Sequence, residues 1–234
     1  YLPDSQMPDS RSLDSAISSA MSHLVRQPGN WSSSRAGREL AAFAIQRLAT
    51  NDPRVAADEL EKIKGKLQEP ERQWAWSQIA LQGAKKHMTE SVGWYANAGK
   101  APLSDEGFQW KVRSALRAQE WGVVRDTIQA MPPTQAALPE WTYWLGRALK
   151  AGGRTTEADA LFEKIAGQPN FYGNLADEEL DRKVLPPPRA KATTPEELKA
   201  AQDNPAIRRA LAFFRLDLRT EGVKEWNWSL RGMD

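Results

Sequence analysis

The sequence predicts an all-α protein: an α-solenoid, or superhelix, of antiparallel helix pairs followed by a small helical unit. Three observations carry this. Bulky and small residues recur at a spacing of 34 positions, from Trp76 to Trp110 to Trp144 and from Ala80 to Ser114 to Ala148. Apolar residues between recognisable starts and stops follow the helical period, and no stretch alternates as a half-buried strand would. The composition then changes at LPPPRAKATTP, residues 185–195, where three consecutive prolines impose an extended backbone.

The repeat is the primary signal, because self-similarity at such a period means stacked supersecondary units. Trp94, Ile128 and Phe162 share the 34-residue spacing, each 18 positions after its leading tryptophan, and Leu60 extends that series backwards. A bulky residue, a small one four later and a bulky one 14 beyond that describe a helix, a turn and a second helix. The small residue admits the neighbouring helix, and the bulky ones fill the space between the two. Leu145-Gly146, Ala158 and Phe162 stand at the spacing of a tetratricopeptide repeat, so the array is expected to be TPR-like, with degenerate units elsewhere.

Taken in order, the elements have their own signals. Asp52-Pro53 opens VAADELEKIKGKL, with proline at the first helical position. Ser104 caps DEGFQWKVRSALRA, whose first turn is acidic. Pro139-Glu140 opens PEWTYWLGRAL, and Gly152-Gly153 closes it. Thr155 or Thr156 precedes EADALFEKIAG, where Ala158, Leu161, Phe162 and Ile165 share a face. The expected organisation is a superhelical domain over 1–184, a proline-rich linker over 185–195 and a helical linker domain over 196–234. In that last unit Ile207, Leu211, Phe214 and Leu218 mark one apolar face.

Composition narrows the function. A net charge of +2, from 32 basic against 30 acidic residues, argues against a nucleic-acid partner. No run of 18 apolar residues is present, so no membrane span is expected. The absence of cysteine excludes disulfides and thiol chemistry. Two histidines, His23 and His87, lie in separate helical contexts and are expected at surface or cap positions. No phosphate-loop, dinucleotide or zinc spacing occurs, so no cofactor or metal is expected. The first residue is Tyr1 and the last three are GMD, which reads as a fragment whose leader could have been removed.

Residues 139–149 concentrate two tryptophans and a tyrosine. At i, i+3, i+4 and i+7, Trp141, Trp144, Leu145 and Ala148 form one stripe and are expected in the core. Tyr143 and Arg147 fall on a flank with Lys150, leaving Tyr143 as the ring expected to be exposed. Arg113 stands one repeat before Arg147. The pair either lines a face that meets an anionic ligand or stacks on neighbouring rings and pairs with nearby acids, the second being favoured. Phe171-Tyr172-Gly173 is a docking element or a turn with core aromatics. Tyr143, Arg147, Arg113, Phe171 and Tyr172 are thus the candidate contacts to a ligand, such as a sugar, or to a neighbouring domain.

The run WTYWLGRALKAGGRTTEADALFEKIAGQPNFYGNLADEEL resembles the bacterial soluble lytic transglycosylases of the Slt type. Their pattern W-x-Y-W-x-G-R-A-L, G-R-x-x-E-A, F-x-x-I-A and F-Y-G-x-L-A occurs here in order. IRRALAFFRLDLRTEGVKEWNWSLRGM looks like the family's linker domain, and NWSSSRAGRELAAFAIQRLA resembles its superhelical domain more loosely. The resemblance implies a periplasmic enzyme that cleaves the MurNAc–GlcNAc bond of peptidoglycan to leave 1,6-anhydro ends. A single glutamate in a lysozyme-like domain serves as acid and then base while the sugar's C6 hydroxyl attacks, unlike two-carboxylate glycosidases. It also implies glycan strands, that catalytic domain and cell-wall synthesis proteins as partners.

The catalytic signature, Glu-Ser ahead of Gly-Leu-Met-Gln, is not found in these residues. Glu90-Ser91 lacks the segment that should follow and reads as coincidence. No catalytic residue is carried over, and the chain alone is expected to be inactive. The alternative is a TPR-like scaffold for a protein partner, with no enzymatic parent.

Overall fold

The computed structural model describes residues 7–27, 29–184 and 189–231. The prolines at 186–188, on which the expected linker partly rests, lie outside the described residues, as do Tyr1 and the last three residues. Among the described residues there are fifteen α-helices and no strand. The chain divides into two compact units, Tyr1–Leu185 and Pro186–Asp234.

The first unit runs α1 (Ser10–Ser18), α2 (Ala20–Arg26), α3 (Arg35–Asn51), α4 (Pro53–Ile63), α5 (Glu69–Lys85) and α6 (Ser91–Asn97). It continues with α7 (Asp105–Arg117), α8 (Trp121–Gln129), α9 (Pro133–Ala136), α10 (Pro139–Ala151), α11 (Thr155–Phe162) and α12 (Phe171–Glu179). Consecutive helices pack as pairs, α3 on α4, α5 on α6, α7 on α8 and α10 on α11, and each leading helix also meets the neighbouring pair. This is an α-solenoid arrangement, in which every helix buries its apolar side on a neighbour in the stack.

Local chemistry sets the boundaries. The Asp52 carboxylate accepts the backbone N–H of Arg54 at 2.9 Å, ahead of Pro53 at the first helical position. The Ser104 hydroxyl accepts that of Gly107 at 3.1 Å, satisfying a donor that the first turn leaves free. Gly153, with φ of 78°, ends α10 in the left-handed region where glycine carries no steric penalty. The next helix differs from expectation: α11 starts at Thr155 without a side-chain cap and ends at Phe162, leaving KIAG as turn. Glu163 and the residues after it leave the helix so that Ile165 folds back onto Phe162 and Ala176.

The 34-residue register coincides with equivalent places in the pairs α5/α6, α7/α8 and α10/α11. Ala80, Ser114 and Ala148 are all buried, as are Leu60, Ile128 and Phe162. Trp76 is buried, whereas Trp110, Trp144 and Trp94 are half-buried at the edges of their clusters. Small residues sit where helices touch. A Cβ on Gly83 would lie 2.5 Å from the Trp94 ring, and one on Gly146 would lie 2.5 Å from Phe162.

The second unit comprises α13 (Pro195–Asp203), α14 (Pro205–Arg215) and α15 (Arg219–Ser229). Thr194 and Glu197 form a reciprocal capping box at the start of α13. Between α14 and α15 the same device recurs, since a Cβ on Gly222 would lie 2.8 Å from Phe214. Ile207 and Ala210 are buried here, but Leu211, Phe214 and Leu218 remain exposed, so of the predicted stripe only Ile207 is buried. Arg189 and Lys191 stand exposed in a stretch without regular structure ahead of Thr194. Exposed segments outside packed helices are where proteases cut first. Limited trypsin digestion should therefore nick at Arg189 or Lys191 before Lys62 or Arg113; mass spectrometry of early fragments showing the reverse order would refute the boundary.

Candidate functional site

Side chains from α7, α10 and α12, with one from the turn after α5, converge on an open groove of about 500 Å³. On α7, Trp110, Arg113 and Arg117 recur at i, i+3 and i+7, which places them on one helical face. From α10 come Glu140, Trp141 and Trp144, and from α12 comes Tyr172. His87 reaches the groove from a residue with φ of 62°, which turns the chain sharply after α5.

Arg113 lines the groove between two rings. Its guanidinium lies 5.2 Å from the Trp110 ring and 5.6 Å from the Trp141 ring, within the range where a cation is attracted to an aromatic face. Its Nη1 donates to Gln109 Oε1 at 3.3 Å. One turn on, Arg117 contacts His87 Nδ1 at 2.9 Å, and the imidazole stands 5.9 Å from Trp110. Trp141 is buried at 2% exposure, and its indole N–H has no hydrogen-bond partner among the described residues.

Beside the groove lies a closed cluster that corrects one expectation. Tyr143 is not exposed: only 3% of its surface is accessible. Its ring packs edge-on to Trp144 at 5.2 Å and lies 5.7 Å from both Phe162 and Tyr172. The hydroxyl accepts from Arg147 Nη1 at 3.0 Å and donates to Glu179 Oε1 at 3.4 Å. Glu179 also pairs with Arg147 at 3.0 Å and with Lys150 at 2.9 Å. Burial pushes the Tyr143 hydroxyl above the usual tyrosine range, so it stays protonated and can donate. The flank of α10 expected to be polar is thus packed at Tyr143, while Arg147 and Lys150 remain partly exposed around Glu179. The helix has α8 on one side and α11 with α12 on the other, so Trp144 and Leu145 are shared between two clusters.

Of the five candidate contacts, the groove takes Arg113 and Tyr172. Tyr143 and Arg147 belong to the closed cluster, and Phe171 stands 68% exposed with its ring edge-on to Tyr172. Sequence reasoning missed His87, Arg117 and Glu140 as groove residues. The signal for Arg117 was its position one turn after Arg113; nothing local marks His87, which lies 30 positions away from Arg117.

Glu90-Ser91 has a structural part. The Ser91 hydroxyl is fully buried and donates to the Met88 carbonyl at 2.7 Å. The hydrogen bond from Arg54, at 2.7 Å, holds the Glu90 carboxyl below its ordinary range, whereas a general acid at neutral pH needs a raised one. Among the described residues no group of three or more His, Cys, Asp or Glu is placed to hold a metal ion. Nor is any described helix long and apolar enough to cross a membrane.

No family model and no curated protein matches the chain. Among solved structures, it is similar to an inactive mutant of the lytic transglycosylase Slt from Pseudomonas aeruginosa. The sequences are 24% identical, the TM-score is 0.71, and the match covers 96% of this chain. It spans 37% of that protein's chain. The likeness establishes a shared all-helical fold.

Proposed function

We propose that this chain is the non-catalytic helical region of a periplasmic peptidoglycan lytic transglycosylase. In this reading, residues 1–184 are its superhelical domain, 185–195 a proline-rich linker and 196–234 its helical linker domain. The observation that carries the proposal is a likeness in fold over 96% of the chain to a lytic transglycosylase, together with the ordered motifs of residues 141–180. Many of those motif residues are core residues, although Phe171, Arg154 and Glu157 are exposed. Trp141, Tyr143, Phe162, Ile165 and Ala176 are buried, and the glycine of F-Y-G, Gly173, is packed against the Gln168 carbonyl. The resemblance therefore speaks for a kind of domain rather than for catalysis within it.

The bond-breaking glutamate belongs to a lysozyme-like domain beyond this helical region, and the helices govern how glycan strands reach it. Purified residues 1–234 should accordingly release no anhydro-muropeptides from peptidoglycan sacculi, and Glu90→Gln should change nothing. Release above a blank that Glu90→Gln abolishes would place the chemistry in this chain. A TPR-like scaffold for a protein partner is the second reading, favoured by the 34-residue register of the three helix pairs. Reading the gene past Asp234 separates the two: Glu-Ser followed by Gly-Leu-Met-Gln supports the enzyme, and a different domain supports the scaffold.

A further inference from the structure

Arg113 and Arg147 occupy equivalent places in successive helix pairs, yet only one is neutralised. Arg147 meets Glu179, which lies 32 positions further on. The residue equally far beyond Arg113 is Leu145, and among the described residues no carboxylate lies within 4.0 Å of Arg113. The apolar side chain at that position leaves Arg113 without an ion pair, and Glu140, which lines the same groove, offsets only one of the two guanidinium charges there.

The surroundings indicate what could match it. With rings near its faces, a guanidinium keeps its planar N–H edge for a bidentate acceptor such as a carboxylate. Arg117 adds a second positive charge, and its contact to His87 supplies no compensating anion. Around these charges stand the half-buried rings of Trp110, Trp144 and Tyr172. A small inorganic anion would leave the ring faces unused, and a purely apolar ligand would leave Arg113 unpaired. A saccharide bearing an acidic group uses both, through its C–H faces on the rings and its carboxylate on the guanidinium.

We propose that this groove binds carboxylate-bearing glycan, with the acid on Arg113 and sugar faces against Trp144 and Tyr172. The inference rests on the peptidoglycan reading above, since in strands freed of their stem peptides that polymer alternates a neutral N-acetyl sugar with one whose lactyl group is a free carboxylate.

The test is calorimetric titration of the 234-residue chain with three probes. These are GlcNAc–MurNAc tetrasaccharide freed of stem peptide, chitotetraose as its neutral counterpart, and free stem peptide. The acidic glycan should bind at least about tenfold tighter than chitotetraose, and added salt should erode that margin. Arg113→Gln should weaken the acidic glycan at least tenfold and chitotetraose less than twofold, with Arg113→Lys in between. Because Arg113 is exposed, each variant should keep its thermal midpoint. Equal affinity for charged and neutral sugars, tighter binding of the peptide, or no binding by the unaltered chain would overturn the assignment. No glycan binding in a protein whose gene encodes the Glu-Ser and Gly-Leu-Met-Gln segment sinks the groove alone. Binding in a protein whose gene lacks that segment sinks the enzyme reading and leaves the groove standing.

Discussion

Tyr143→Ala should destabilise the chain by about 3–5 kcal/mol, as truncation of a buried aromatic does when its surroundings cannot collapse. The ring is enclosed by Trp144, Phe162 and Tyr172, and its hydroxyl joins Arg147 to Glu179. Tyr143→Phe should be milder, at about 1 kcal/mol, because it removes a hydroxyl while Arg147 keeps its direct contact to Glu179 at 3.0 Å. Phe171→Ala is the control. That ring is 68% exposed, and such changes usually stay within about 0.5 kcal/mol. Guanidinium denaturation midpoints read all three. A Tyr143→Ala midpoint indistinguishable from that of Phe171→Ala would mean that the ring is not in the core.

Gly146→Ala should be the second large loss, although alanine is the better helix former. Helix propensity alone favours alanine over glycine by about 0.8–1.0 kcal/mol. At position 146, however, the added methyl would sit 2.5 Å from Cε1 and 2.9 Å from Cζ of Phe162. Carbon atoms rest at about 3.5–4.0 Å, so the ring must move by about an ångström. Phe162 is fully buried and lies 5.7 Å from the Tyr143 ring, so its displacement disturbs the whole cluster. Overpacking of this kind costs about 1–3 kcal/mol or more, which outweighs the propensity gain. Gly93, also helical, has nothing within 4 Å of where a Cβ would lie, so Gly93→Ala should stabilise by about 0.5–1 kcal/mol. In the Gly146→Ala background, Phe162→Leu should cost less than it does alone, since the two changes share one contact. Strict additivity of the pair would show that methyl and ring do not meet.

Much of the fold was legible because the helix period, the proline and cap positions and the 34-residue recurrence are written in local order. Trp76, Ile128 and Phe162 could be assigned to packing from spacing alone, and the structure buries all three. The candidate site was legible in part. Arg113 and Tyr172 were singled out, but their meeting with His87 and Glu140 depends on turns and on helices far apart in sequence.

Tyr143 shows where sequence reasoning stopped. A stripe at i, i+3, i+4 and i+7 identifies a buried face on the premise that a helix has one, and Trp141 and Ala148 obey it. In the stack α10 has neighbours on two sides, so a residue off the stripe becomes a second core face. The sequence determined that Arg113 and Arg147 would hold equivalent places beside aromatic rings. Only tertiary structure decided that Arg147 would be closed into an ion pair while Arg113 faced an open groove. The physical reason is that a helix carries its own pattern of charge and apolarity but not its partners. Whether a guanidinium meets Glu179 or stands without a carboxylate depends on which side chain the next helix brings alongside it.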